Sequence, residues 1–174
     1  SEHSTSFRVA LAEGVSSWQV YKALSEIKFL SGKLENIPDE GTIAPASYDF
    51  VKGMTKQALI KKMQERQASI LNEAWNARQL NLPINTKQEA LILASIIEKE
   101  TSLKTERGKV SSVFVNRLLR EIPLQTDASV IYGITRGKKV LGRGLRRSEL
   151  KKDTPCNTYV NKGLPPSPIG NPGK

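Results

Sequence analysis

The chain has 174 residues, 38% of them hydrophobic and 25% charged, with 27 Lys and Arg against 17 Asp and Glu for a net charge of +10. This composition suits one folded domain of ordinary size, with at most a small appended subdomain, and excludes a disordered chain. A single cysteine, Cys156, and a single histidine, His3, exclude an internal disulfide and leave no metal-ligand spacing and no Cys/His or Ser/His triad, so neither a metal nor a cofactor is expected.

In chain order, Phe7 to Leu11 alternates as a short strand, and a helix is expected from Ser16 or Ser17 with Trp18, Val20, Tyr21 and Leu24 facing inward. Residues 37–41 form a turn-rich connection, and proline holds residues 44–50 extended. Thr55 starts a helix running to about Leu80, broken by Asn81-Leu82-Pro83-Ile84. Thr86 and Glu89 have capping-box spacing and open a helix through Glu100, with Ala90, Leu93, Ala94 and Ile97 recurring at helical intervals. A further helix from about Thr105 to Arg120 is expected to turn Val110, Val113, Phe114 and Leu118 inward. Gln125 onward reads as a loop and a short helix through Val130, Ile131 and Tyr132, followed by a basic loop and a Pro/Gly-rich coil. No run of about 18 apolar residues is present, and the opening Ser1-Glu2-His3-Ser4-Thr5-Ser6 lacks the features of a signal peptide.

Glu100 is the residue that calls for a chemical explanation. At about 100° per residue it falls near Leu93 and Ile97 on the apolar stripe, while Glu98 and Lys99 fall to either side. Packing against those neighbours would favour the neutral carboxyl, which a general acid needs near neutral pH. A charged helix end reaching solvent is the plainer reading of the same pattern.

Between Arg136 and Lys152, eight basic residues face one acid, Glu149, so this segment supplies +7 of the net +10. Glycines at 137, 142 and 144 predict a mobile loop, suited to phosphates, carboxylates or anionic lipid heads. With no zinc-finger spacing, aromatic stacking pattern or recognition helix, a nucleic-acid partner is not expected.

Four blocks occur in order over some 80 residues. They are Ala94-Ser95-Ile96-Ile97-Glu98-Lys99-Glu100-Thr101; Val113-Phe114-Val115-Asn116-Arg117-Leu118; Leu124-Gln125-Thr126-Asp127 with Val130-Ile131-Tyr132-Gly133; and Thr154-Pro155-Cys156-Asn157-Thr158-Tyr159, continuing through Gly163-Leu164-Pro165-Pro166 and Ile169-Gly170-Asn171-Pro172-Gly173. Together they resemble the endolytic murein transglycosylases of the MltG (YceG-like) type. The likeness departs at Ala46-Ser47, where the family usually has Asp-Thr, and at Cys156.

The resemblance implies an α+β, mostly helical fold: a helical lytic-transglycosylase-like core with a small N-terminal α/β fragment. Residues 1–54 would form that fragment, with a LysM-like region mostly absent, and residues 55–174 a C-terminally truncated catalytic domain. It also implies endolytic cleavage of the MurNAc-β-1,4-GlcNAc bond to leave a 1,6-anhydro-MurNAc end, limiting or terminating strand elongation. Glu100 would be the one catalytic carboxylate, since Glu98 points about 200° away around the helix. Asn116, Gln125, Thr126, Asp127, Tyr132, Asn157 and Tyr159 are the substrate-binding candidates, although Asn116, Asp127 and Tyr132 also suit structural roles. Peptidoglycan strands are the implied partner, with penicillin-binding-protein synthases beside them. The implied location is the inner membrane, through a single-pass anchor absent from this chain, with the catalytic part periplasmic. An inactive peptidoglycan-binding or scaffold module of the same fold is the alternative.

Overall fold

The computed structural model describes residues 6–174. Strand β1 (Ser6–Ala10) pairs antiparallel with β2 (Ser47–Val51), placing Phe7 opposite Phe50 and Val9 opposite Tyr48. Helix α1 (Ser17–Ser25) lies between them in sequence. Ser16 is its N-cap, since its Oγ accepts from Gln19 N–H while Gln19 Oε1 accepts from Ser16 N–H, satisfying two donors at the helix end. Val20 and Leu24, one turn apart, are fully buried and join Leu30, Ile43, Tyr48 and Phe50 in an N-terminal core.

Helix α2 (Lys56–Asn76) ends before the expected Leu80, and Asn81 takes a positive φ in the turn that follows. Its first turns, through Leu59, Ile60 and Met63, complete the N-terminal core, which therefore extends past the division expected at residue 54. Helix α3 (Lys87–Glu100) packs against α2, α4 (Arg107–Leu119) and α5 (Asp127–Thr135) and is the central element of a second core containing Ile92, Leu93, Ile96, Phe114, Leu124 and Ile169. Burying Ile96 completely contributes about 2–3 kcal/mol from the hydrophobic effect alone. Thr86 caps α3 by accepting from Glu89 N–H at 3.1 Å, while the Glu89 carboxylate accepts from Asn85 N–H, one residue earlier than in a capping box.

Three expectations about packing change. The buried face of α3 is Leu91, Ile92, Leu93, Ser95 and Ile96, with Ala90, Ala94 and Ile97 only half-buried, because neighbours cover α3 on several sides. On α4, Phe114 is buried but Val113 is 53% exposed. The basic segment is anchored at both ends: Ser16 Oγ donates to the Gly137 carbonyl at 2.6 Å, and a short helix α6 (Arg147–Lys151), which carries the Glu149 paired with Arg143 at 2.7 Å, is held by Asn157 Nδ2.

The Pro/Gly-rich end is a buried strap. Asn171 is completely buried; its Oδ1 accepts from Ile43 N–H, its Nδ2 donates to the Val15 carbonyl, and its backbone exchanges hydrogen bonds with Gly14 and Val15. Ile169 N–H donates to Ser95 Oγ on α3. A Cβ at Gly170 would lie 2.8 Å from the Gly14 carbonyl oxygen, so only glycine permits this approach. Residues 168–172 thus join the N-terminal core to the helical one. No helix among the described residues is long and apolar enough to cross a membrane.

Candidate active site

The last turn of α3 presents two carboxylates to different surroundings. Glu98, with its side chain 6% exposed, pairs with Arg107 Nη2 at 3.1 Å and accepts from Gly173 N–H at 2.8 Å. Arg107 also reaches Glu13 and the Lys174 carbonyl, so Glu98 belongs to a clasp between α3, α4 and the strap. Glu100 points elsewhere, as the rotation about the helix requires, and accepts from Thr126 Oγ1 at 2.7 Å.

Glu100 is exposed, contrary to the packing against Leu93 and Ile97 expected from the apolar stripe. It is the final helical residue, with Thr101 already extended, so its side chain projects past the end of the core.

Thr126 is held firmly. It is 1% exposed; its N–H donates to Thr158 Oγ1 at 3.0 Å, and Gln125 N–H donates to the Thr158 carbonyl at 3.1 Å. Ser129 Oγ donates to the Thr126 carbonyl and meets Thr158 Oγ1 at 2.9 Å. Gln125 has a φ of 53°, a left-handed conformation costing on the order of 1 kcal/mol for a non-glycine residue. The pairing of residues 125–126 with 158 fixes that conformation and aims the Thr126 hydroxyl at Glu100. Thr126, expected as a substrate ligand, is a partner of the carboxylate.

Asp127 and Tyr159 lie beside this pair. Tyr159 OH hydrogen-bonds Asp127 Oδ1, and that bond, followed by burial and the nearby charges of Asp127 and Glu100, pushes the phenol up to about 12. Asp127 and Glu100, 27 positions apart in sequence, thus both act electrostatically on this one phenol, a relation that rotation about α3 does not reveal. Gln125 is exposed, with Oε1 accepting from Arg117 at 3.4 Å, and Asn116 is exposed on α4.

Two candidates have other partners. Asn157 is completely buried, its Nδ2 directed at the carbonyls of Glu149, Leu150 and Lys152 and its Oδ1 accepting from Tyr159 N–H, which caps α6 and sets the tyrosine. Tyr132 OH donates to Glu40 Oε2 at 2.8 Å. Glu40, which sequence reasoning left without a role, also accepts from Ser17 N–H and Asn171 Nδ2. Burial pushes its carboxyl upward against the opposing pull of those hydrogen bonds, and burial with the adjacent Glu40 charge raises the Tyr132 phenol. The signal available was the Glu40-Gly41 turn, where a Cβ on Gly41 would lie 2.7 Å from Pro168.

Beside the end of α3, a cleft of about 420 Å³ lies between α1, α5 and the loop at 137–143. Tyr132 and Lys99 line it, and Lys99 Nζ donates to the Gly14 carbonyl at 2.7 Å. No group of three metal-ligating side chains occurs among the described residues.

Comparison with known proteins gives this geometry a family. Over 137 residues the chain is 37% identical to an endolytic murein transglycosylase of Bacillus subtilis (strain 168), covering 78% of this chain and 36% of the relative. Over 139 residues it is 33% identical to one of Streptococcus pneumoniae (serotype 2, strain D39), covering 76% and 24%. The chain thus spans roughly a quarter to a third of the length of these relatives. The crystal structure of a yceG-like protein from Listeria monocytogenes superposes with a TM-score of 0.66 at 26% identity, over 95% of this chain and 63% of that one. The YceG-like family model matches residues 1–174, and the chain belongs to that family.

Proposed function

We propose that this chain carries the catalytic core of an endolytic murein transglycosylase, cleaving the MurNAc-β-1,4-GlcNAc bond within glycan strands and leaving a 1,6-anhydro-MurNAc end. The observation that carries the proposal is Glu100: an exposed carboxylate at a helix end, with one oxygen held by buried Thr126 and the other free of protein hydrogen bonds among the described residues. Protonated Glu100 donates to the glycosidic oxygen as the C–O bond breaks. The carboxylate then takes the proton of the C6 hydroxyl as that oxygen attacks the anomeric carbon, so no water is consumed and Glu100 ends as it began. Because Glu100 is exposed in the free protein, the bound glycan strand supplies the water exclusion that strengthens these interactions.

Gln125 and Asn116 are exposed and available to sugar hydroxyl and acetamido groups, and Tyr159 to a sugar face. Asn157 acts through Tyr159. The relatives' murein transglycosylase names support a location at the cell envelope; the proposal adds a periplasmic catalytic part, an inner-membrane anchor and a penicillin-binding-protein synthase alongside.

Asp127 motivates a second reading, hydrolysis with Glu100 as acid and Asp127 activating water across the bond. Its Oδ1 is taken by Tyr159, which favours the transglycosylase. Digestion of sacculi in ¹⁸O-labelled water separates them: unlabelled anhydro ends support intramolecular attack, and labelled reducing ends establish hydrolysis. Purified strands bound but never cleaved would instead identify a scaffold module.

A further inference from the structure

The cleft beside α3 has a composition that the glycan alone does not explain. Its floor includes Ala128, Ile131 and Ile169, and its rim carries Lys99, Lys139 and Arg143, with no acidic side chain among the lining residues. Arg143 is offset by Glu149, and Lys99 is tied to Gly14. Lys139 is exposed and makes no ion pair with any described residue, and beside it Val140 holds an alkyl side chain 84% exposed. The loop presenting them is built in place: Ser16 holds the Gly137 carbonyl, Gly137 N–H donates to Thr135 Oγ1, and Lys138 N–H to the Thr135 carbonyl. Two of its lining residues flank the reacting centre in sequence: Lys99 precedes Glu100, and Ala128 follows Thr126 by two residues.

An N-acetylated glycan backbone carries no charge. In murein the anionic groups are the free carboxylates of the short peptide attached through the lactyl ether of each muramoyl unit, and that peptide is rich in small alkyl side chains. Resting on the transglycosylase reading, we propose that this cleft is a subsite for the peptide of a muramoyl unit, with Lys139 receiving a carboxylate and Val140 and the apolar floor receiving alkyl groups. The enzyme then distinguishes strands by the peptide carboxylates that reach the cleft rim, separately from the chemistry at Glu100.

The test compares kcat/KM on strands that retain their peptides with kcat/KM on the same strands stripped by an amidase, which frees one lactyl carboxylate per muramoyl unit, and then capped as lactyl methylamides. The wild-type ratio should exceed one and decline as salt rises from about 0.05 to 0.5 M. Lys139→Ala should lower the ratio about threefold, the size expected of an exposed ion pair. Lys139→Glu should lower it about tenfold by placing like charges together. A wild-type ratio of one, or a ratio indifferent to Lys139, overturns the proposal. Binding to phosphatidylglycerol vesicles that falls in Lys139→Glu while the ratio stays fixed also overturns it, making the loop a lipid contact. If wild type cleaves neither substrate, the transglycosylase reading fails, and the subsite is judged by calorimetric binding to soluble peptide-bearing strands against the capped peptide-free strands: peptide-dependent affinity lost in Lys139→Glu supports it, and equal affinity overturns it.

Discussion

Changing each of the two glutamates at the end of α3 to glutamine should separate stability from turnover. Glu98 is nearly inaccessible, binds Arg107 at 3.1 Å and receives Gly173 N–H at 2.8 Å. Breaking a buried ion pair costs about 3–5 kcal/mol where the remaining charge is stranded. Here Arg107 keeps Glu13 and the Lys174 carbonyl, and its side chain is 20% exposed, so about 2 kcal/mol is expected for Glu98→Gln. At this chain length that is a fall of about 4–8 °C in melting temperature. Glu100→Gln removes a charge from an exposed side chain and leaves an amide oxygen to accept from Thr126, so its stability should stay within about 0.5 kcal/mol of wild type. Turnover should divide the other way, falling by about 10² to 10⁴ in Glu100→Gln and persisting in Glu98→Gln below its lowered melting point. Thermal unfolding and anhydro-muropeptide release, measured on both variants, provide the check. A fully folded Glu98→Gln protein without turnover would refute the assignment of roles, as would an active Glu100→Gln protein.

Thr126→Val keeps the volume but removes the donor to Glu100, and should lower kcat about tenfold, the size of a hydrogen bond to a charged group. Thr126→Ser should restore most of it, and equal losses in both would indicate packing instead. Glu40 has its carboxyl raised above its ordinary value of 4.5 by burial, so the stability of its protonated form is full below about 4.5 and is lost as pH rises through the raised value. Denaturant unfolding between about pH 4 and 8 should show wild type losing stability relative to Glu40→Gln with rising pH, and a constant difference would contradict this. Gly137→Ala places a Cβ 2.4 Å from Ser16 Cβ at a φ of +72°, and should cost about 2 kcal/mol while detaching the loop from α1, readable as faster hydrogen exchange across 137–143.

The helices were legible because their signals are local. Thr86 and Glu89 announce the start of α3, Ser16 or Ser17 that of α1, and Val20 with Leu24 the inward face of α1. The divergence of Glu98 and Glu100 also followed from helical rotation alone. What surrounds Glu100 was less legible. Thr126 bonds it, while Thr158 holds Thr126 and Tyr159 holds Asp127, all through hydrogen bonds between segments some 30 positions apart, which leave no periodic trace. The apolar stripe suggested a sheltered Glu100, yet the helix stops there and the core stops with it. Glu40, Arg107 and Asn171 were missed as a group because their partners span sequence separations of up to 156 residues.

The strap also decides when this fold can be completed. Asn171 closes onto Val15 and Ile43, and Ile169 onto Ser95, so the fastening between the two cores is made by residues that follow all the helices in sequence. Contacts of such long range form late, because ordering the intervening chain must precede the bonds that reward it. Until then the Glu40 carboxylate lacks its asparagine and Glu98 lacks the Gly173 amide, leaving the end of α3 incompletely fixed. The end of α3 is thereby tied to the strap: a polypeptide arrested before residue 171 holds every residue around Glu100 but not the fastener that sets them.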